Sequence, residues 1–178
     1  MRAELATLHR ESFGWAMSCC RRDAFMAEEV LQRTYLKVLT GKARHQGGGL
    51  FKTWLFAVIR RTTQDERRRE WLRRLRLLRY ADHAQIDSTR SEGDDPAAQA
   101  SAVEFGEMLA ALSDRQRQVL QLVFYHEMSL SEAAETMGVS VGSARTHYDR
   151  AKKAIRLQLV ENDDGPQAGK NSLASIVL

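Results

Sequence analysis

The 178-residue chain is 43% hydrophobic and 28% charged, with 27 Lys and Arg against 23 Asp and Glu, two prolines and eleven glycines. It can bury a core, is neither collagenous nor wholly disordered, and has room for one ordinary domain or two small ones. Its two cysteines, Cys19 and Cys20, are vicinal, which supports neither a structural disulfide nor a zinc framework and fits a reducing cytoplasm. No apolar run reaches the roughly 18 residues of a membrane span and the N-terminus lacks a signal-peptide core, so export is not expected.

Apolar residues recur at helical spacing and no set of alternating Val, Ile and Thr runs builds a sheet, so an all-α fold is expected. The first helix is predicted from about Leu5 to Cys20 and the second from about Ala24 to Thr40, with Val30, Leu31, Thr34, Tyr35 and Val38 as its stripe. GKARHQGGG, residues 41–49, reads as a glycine-rich loop with a basic edge. A long helix then starts near Leu50, places Trp54, Leu55, Val58 and Ile59 on its apolar face, and runs into nine arginines between Arg60 and Arg79. Residues 1–80 hold 18 basic against 8 acidic side chains, and residues 81–178 hold 9 against 15. The net +4 therefore hides a strongly cationic first half, which suggests a polyanionic partner, nucleic acid ahead of an acidic membrane surface.

Residues 81–101 have the composition of a flexible acidic linker, with five acids, one arginine, Gly93 and Pro96. They divide the chain into a helical module at 1–80 and a second at 102–160, followed by a polar tail at 161–178 that is expected to be disordered. In the second module, helices are predicted at about Ala102 to Leu112 and Ser113 to Tyr125, the latter opened by Ser113 and Gln116 in capping-box spacing. LSEAAETMGVSVGSARTHYDRAKKAI, residues 130–155, reads as a helix-turn-helix. Ser129 and Glu132 cap its first helix, Ala134 is small where two helices cross steeply, and Gly138 falls where the turn wants positive φ. Ser140 caps the second helix, whose Ala144, Tyr148, Ala151 and Ile155 face the core. Ser143, Arg145, Thr146, His147 and Arg150 are left toward solvent, as contacts to base edges and phosphates in a major groove require.

Three stretches carry a family resemblance. AEEVLQRTYLKVL, residues 27–39, resembles the AEDLVQETFLRAW pattern of the extracytoplasmic-function group of bacterial sigma factors, in the sigma-70 family. FKTWLFAVIRRTTQDERRR, residues 51–69, is similar to the group's FRTWLYRIARNLAIDRLRR stretch, and residues 112–155 resemble its C-terminal module. The resemblance implies an N-terminal module that binds the β′ clamp helices of core RNA polymerase and melts the minus-ten element, and a C-terminal module that reads the minus-thirty-five element and touches the β flap. It places Glu28, Glu29, Gln32, Arg33 and Tyr35 on the clamp-facing helix. Lys52, Thr53, Trp54, Arg60 and Arg61 fall on or near the minus-ten surface, with Arg67 and Arg68 as candidate phosphate contacts. Lys42, Arg44, His45 and Gln46 fall in the loop that takes up a flipped base, and Ser140, Ser143, Arg145, Thr146, His147 and Arg150 on the minus-thirty-five helix.

The physical demands of opening DNA without ATP agree with this, since a single strand must be held by arginines, a polar pocket and aromatic surface. Trp54 reads as a core anchor ahead of a stacking platform, and Arg67 to Arg69 as phosphate contacts or a solubilising helix end. Arg33, Met26, Leu39 and Arg61 depart from the group's usual acid, Asp, Trp and Asn. The implied partners are core polymerase, promoter DNA and an anti-sigma protein, in the cytoplasm or held at the inner membrane by that inhibitor. No cofactor, metal, small-molecule substrate or catalysis is expected, because no phosphate loop, nucleophile motif or metal-spaced cluster is present in the sequence. The alternatives are a sigma-like mimic that binds only an anti-sigma protein and a plain helix-turn-helix regulator.

Overall fold

The computed structural model describes residues 1–80 and 112–163, which are helical and contain no strand. The linker at 81–101, nearly all of the helix expected from Ala102 to Leu112, and the tail beyond 163 lie outside the described residues. The chain divides into two compact units. None of the described helices is long and apolar enough to cross a membrane.

The N-terminal unit is built from α1 (Arg2–Thr7), α2 (His9–Cys19), α3 (Ala24–Leu39) and α4 (Phe51–Tyr80). The single first helix expected from Leu5 to Cys20 starts earlier and is interrupted at Leu8, whose backbone sits at φ −87° and ψ 3°. Just before the break the Thr7 hydroxyl donates to the carbonyl of Ala3 at 3.0 Å, a back-bond that bends helices. Between α2 and α3 the chain turns through two successive left-handed residues, Arg21 at φ 57° and Arg22 at φ 66°. Asp23 then caps α3 by accepting the Met26 N–H at 2.9 Å.

The core of this unit is Trp15, Ala16, Val30, Leu31, Val38, Leu55, Phe56 and Ile59, all buried, with Ser12, Thr34, Thr62 and Thr63 among them. Trp15 is its centre. The indole N–H donates to the Phe56 carbonyl at 3.0 Å and the two rings stack with centroids 5.8 Å apart, pinning α2 to α4. Cys19 and Cys20 are buried free thiols at the end of α2. Burial pushes the Cys20 thiol up, against the weaker pull of a hydrogen bond with Thr63 and the charge of Arg67.

The C-terminal unit runs through α5 (Asp114–Leu120), a π-helical turn (Gln121–Tyr125), α6 (Leu130–Met137) and α7 (Val141–Asp163). The capping box at Ser113 forms as expected, with the Gln116 N–H donating to Ser113 Oγ and the Ser113 N–H to Gln116 Oε1. The expected helix to Tyr125 does not stay α-helical to its end: from Gln121 it widens, and the His126 N–H reaches the Gln121 carbonyl at 3.1 Å. Leu112, Leu120 and Ala151 form the core, with Tyr148, Ala154 and Ile155 packed against it.

Two predictions follow from this packing. Trp15→Ala is expected to cost about 3–5 kcal/mol of stability and Trp15→Phe markedly less, measured by urea denaturation. The folded Cys20 thiol ionises later than the unfolded one, so stability should fall as pH rises past the ordinary thiol range, and the fall should be smaller in Cys20→Ala.

Candidate nucleic-acid interface

The sequence places a cationic helix beside a glycine-rich loop, and the structure separates cations that hold the fold from those left over. Glu66 is buried on α4 and accepts from Arg33 of α3 and, at 2.7 Å, from Arg69. Arg33 also pairs with Glu29 at 2.5 Å, and its pKa is raised first by the Glu66 hydrogen bond. Lys37 donates to Thr62 at 3.0 Å and faces Asp65 at 3.4 Å. Lys52 pairs with Glu11 of α2 and lies over the Phe56 ring. Arg67 donates to the Cys19 carbonyl at 2.6 Å, holding the last residue of α2. Of the site residues expected from the sequence, Arg33, Lys52 and Arg67 thus brace helix to helix, and Thr53 and Arg60 are buried. Arg61 and Arg68 remain exposed on α4.

The loop leaves α3 through Gly41, at φ 71°, a conformation glycine adopts without the Cβ clash. The Ala43 N–H donates back to the Lys37 carbonyl at 2.9 Å and Arg44 Nε to the Gly41 carbonyl at 3.1 Å, which folds the loop's first turn on itself. His45 lands on the start of α4, 5.8 Å from the Phe51 ring and 5.3 Å from the Trp54 ring. Trp54 is half-buried in this cluster, unlike the fully buried Leu55 and Ile59 beside it. It is therefore less of a core anchor than the sequence suggests. Lys42 and Gln46 are exposed.

On α3, Glu28 and Gln32 are exposed, 3.5 Å apart through their side chains, and Tyr35 is half-buried with its hydroxyl 3.2 Å from His9 Nδ1. Burial raises the Tyr35 pKa, with a Ser12 hydrogen bond opposing it. Sequence reading missed the apolar part of this face. Phe25 is 81% exposed, Leu36 62% and Leu39 49%, and positions 25, 28, 32, 36 and 39 make one helical stripe. A groove of about 230 Å³ lined by Leu5, Ala6, His9, Tyr35 and Leu39 adjoins it. The spacing was visible in the sequence; what was missing was that the opposite stripe already fills the core.

The helix-turn-helix has the expected geometry. Ser129 caps α6 reciprocally with Glu132, accepting its N–H at 3.2 Å and returning its own at 2.8 Å. At the end of α6, Gly138 at φ 62° donates to the Glu135 carbonyl and Val139 to that of Ala134, the paired bonds of a Schellman turn. Ser140 caps α7 by accepting the Ser143 N–H at 3.1 Å, and the two hydroxyls lie 2.9 Å apart. Thr146 is exposed but its hydroxyl donates to Gly142 at 3.0 Å. Ser140, Ser143 and Thr146 thus have local partners, whereas Arg145 and Arg150 stand exposed and His147 half-buried. Val141 and Asp149 share the exposed N-terminal half of α7 and were not singled out from the sequence. A valine there suits a thymine methyl and a carboxylate suits the cytosine amino group.

Comparison with known proteins completes the picture. The family described as Sigma-70 region 2 matches residues 5–73, and that described as Sigma-70, region 4 matches residues 102–155. The chain is 32% identical over 128 residues to the ECF RNA polymerase sigma factor SigF of Caulobacter vibrioides, covering 72% of this chain and 68% of that one. It is 30% identical over 145 residues to SigL of Mycobacterium tuberculosis, covering 78% and 77%. In fold it is similar to the sigma factor RpoE solved with the anti-sigma factor NepR from Bartonella quintana, at a TM-score of 0.65 and 22% identity over 89% of this chain and 96% of that one. It is also similar to CnrH, solved with the cytosolic domain of CnrY, at a TM-score of 0.60 and 20% identity over 92% and 88%. With both sigma regions matched in order and relatives aligned across most of their length, the chain belongs to the extracytoplasmic-function group of sigma-70 family RNA polymerase sigma factors, non-enzymatic initiation factors that direct promoter recognition.

Proposed function

We propose that the exposed stripe of α3 is the surface on which this sigma factor joins core RNA polymerase, at the β′ clamp helices. The observation that carries this is the run Phe25, Glu28, Gln32, Leu36 and Leu39, apolar ends with a polar centre on a helix whose other face is already buried. Glu29 and Arg33 neutralise one another beside it and serve to hold the helix in place. Run-off transcription with core polymerase on genomic fragments tests the activity and yields the promoter. Leu36→Glu, at an exposed position that should leave the fold intact, is expected to weaken the polymerase complex about tenfold or more, read by gel filtration. An unchanged complex would remove this face from the interface.

On the same reading the exposed Lys42, Gln46, Arg61 and Arg68, with the ring cluster of His45, Phe51 and Trp54, face the minus-ten element, and α7 reads the minus-thirty-five element. The C-terminal unit, whose π-helical turn exposes Phe124 and Tyr125, also touches the β flap. Module limits at 1–80 and 102–160, and action in the cytoplasm, belong to the same proposal. An anti-sigma protein is a further partner, as one is for both proteins similar in fold. It would hold this factor at the inner membrane only if itself anchored there.

Arg145 is placed to read a base edge, and Arg150, further from the helix N-terminus, to hold a phosphate. Arg145→Ala should then cost roughly 1–3 kcal/mol of duplex binding and relax sequence preference, while Arg150→Ala should weaken all sequences alike and lower the salt slope by about one. Electrophoretic mobility shifts over a salt series with the full chain and core enzyme would measure both, and binding unaltered in the two variants would unseat α7 as the reading helix.

A further inference from the structure

Helix α4 outruns the unit it belongs to. It continues to Tyr80, beyond residue 73 where the match to the region 2 family stops. Its last buried described side chain is that of Glu66, and from Arg68 to Leu77 the side chains are exposed except for half-buried Glu70. This overhang carries Trp71, 60% exposed, although the other two tryptophans of the chain, Trp15 and Trp54, are buried and half-buried. An indole in water contributes nothing to the core.

The position of Trp71 on the helix gives its chemistry. Positions 61, 64, 68, 71 and 75 step by three and four residues and so form one stripe, and Arg61, Gln64, Arg68, Trp71 and Leu75 are all exposed on it. The carboxylates lie on other faces. Arg33 and Arg69 are paired with Glu66, Lys37 with Asp65, and Arg73 and Arg74 with Glu70 at 2.9 and 3.1 Å. Arg61 and Arg68, on the stripe, have no carboxylate partner among the described residues. The stripe therefore offers two uncompensated guanidinium groups and, one turn further on, a planar aromatic face. A membrane surface calls instead for an unbroken apolar face, and Arg68 and Arg61 interrupt this one. Guanidinium groups alternating with an indole fit phosphates alternating with bases, and only an unpaired strand leaves a base face free to stack.

We infer that Trp71 is a stacking site for an unpaired base of single-stranded DNA, with Arg68 and Arg61 holding the adjoining phosphates, so that the DNA surface of α4 extends past the segment shared with the family. This rests on reading the exposed side of α4 as a DNA face. The test uses the full chain and a short fluorescent oligothymidylate, followed by anisotropy. Trp71→Ala is expected to weaken binding about tenfold, Trp71→Phe much less, and Leu77→Ala, on another face, not at all. The oligomer should also quench tryptophan emission, and most of that quenching should vanish in Trp71→Phe. Arg68→Ala should weaken binding and lower the salt slope by about one. If Arg68→Ala weakens binding while Trp71→Ala does not, stacking is overturned and the DNA face stands. If neither variant weakens it, both fall. Tighter binding of Trp71 to phosphatidylglycerol vesicles than to the oligomer, seen as a blue shift of its emission, would overturn the inference in favour of a membrane.

Discussion

Glu66 sits between α3 and α4 with its side chain 7% exposed, and a carboxylate that far from water must be given donors by the protein. It takes one from Arg33, across the helix interface, and one from Arg69, a turn along its own helix. Glu29 completes the arrangement by holding the second arm of Arg33. This knot does more than fasten two helices. In a segment crowded with arginine, it draws the available negative charge toward the side of α4 that faces α3, and the guanidinium groups on the far side keep their full field. A helix with its acids scattered evenly would present a neutralised surface to a polyanion.

The second unit solves a different problem, that of aiming one helix. Three short-range devices act in sequence: the reciprocal cap at Ser129, the Schellman turn at Gly138 and the serine cap at Ser140. Each satisfies backbone groups that a helix end leaves open. Because so few residues separate α6 from α7, satisfying those groups also fixes the direction in which α7 starts. Its first turns are presented with Ala144 and Ala151 seated in the core and Arg145 and Arg150 outside.

These local devices were the legible part of the sequence, since a cap or a left-handed glycine depends on residues three or four positions apart. The helical class, the loop at 41–49 and the outward set on α7 could be read for the same reason. What could not be read was which charged side chain meets which partner across 33 or 48 positions of sequence, as Arg33 does with Glu66 and Arg67 with the Cys19 carbonyl. Family resemblance assigned Arg33, Lys52 and Arg67 to partners outside the chain because a linear motif cannot say that a neighbouring helix has claimed them. Leu36 and Phe25 escaped notice for the converse reason: an apolar residue near a core stripe looks like core until the packing shows which side is full. The break at Leu8 depends on a single hydroxyl choosing its own helix as acceptor.

The π-helical turn at Gln121–Tyr125 gives the second unit a fixed phase. An α-helix advances about 100° per residue, and the wide turn accommodates one residue more than the regular ladder would. Removing any one residue between Gln121 and Tyr125 would close the turn into ordinary helix and rotate everything after it by that angle relative to α5. Ser129, the cap that starts α6, would then arrive on the wrong side, and the alignment of α7 with it. The segment behaves as a spacer whose length is under tighter constraint than its chemistry: side chains such as Phe124 and Tyr125 point outward and can vary, but the count of residues cannot.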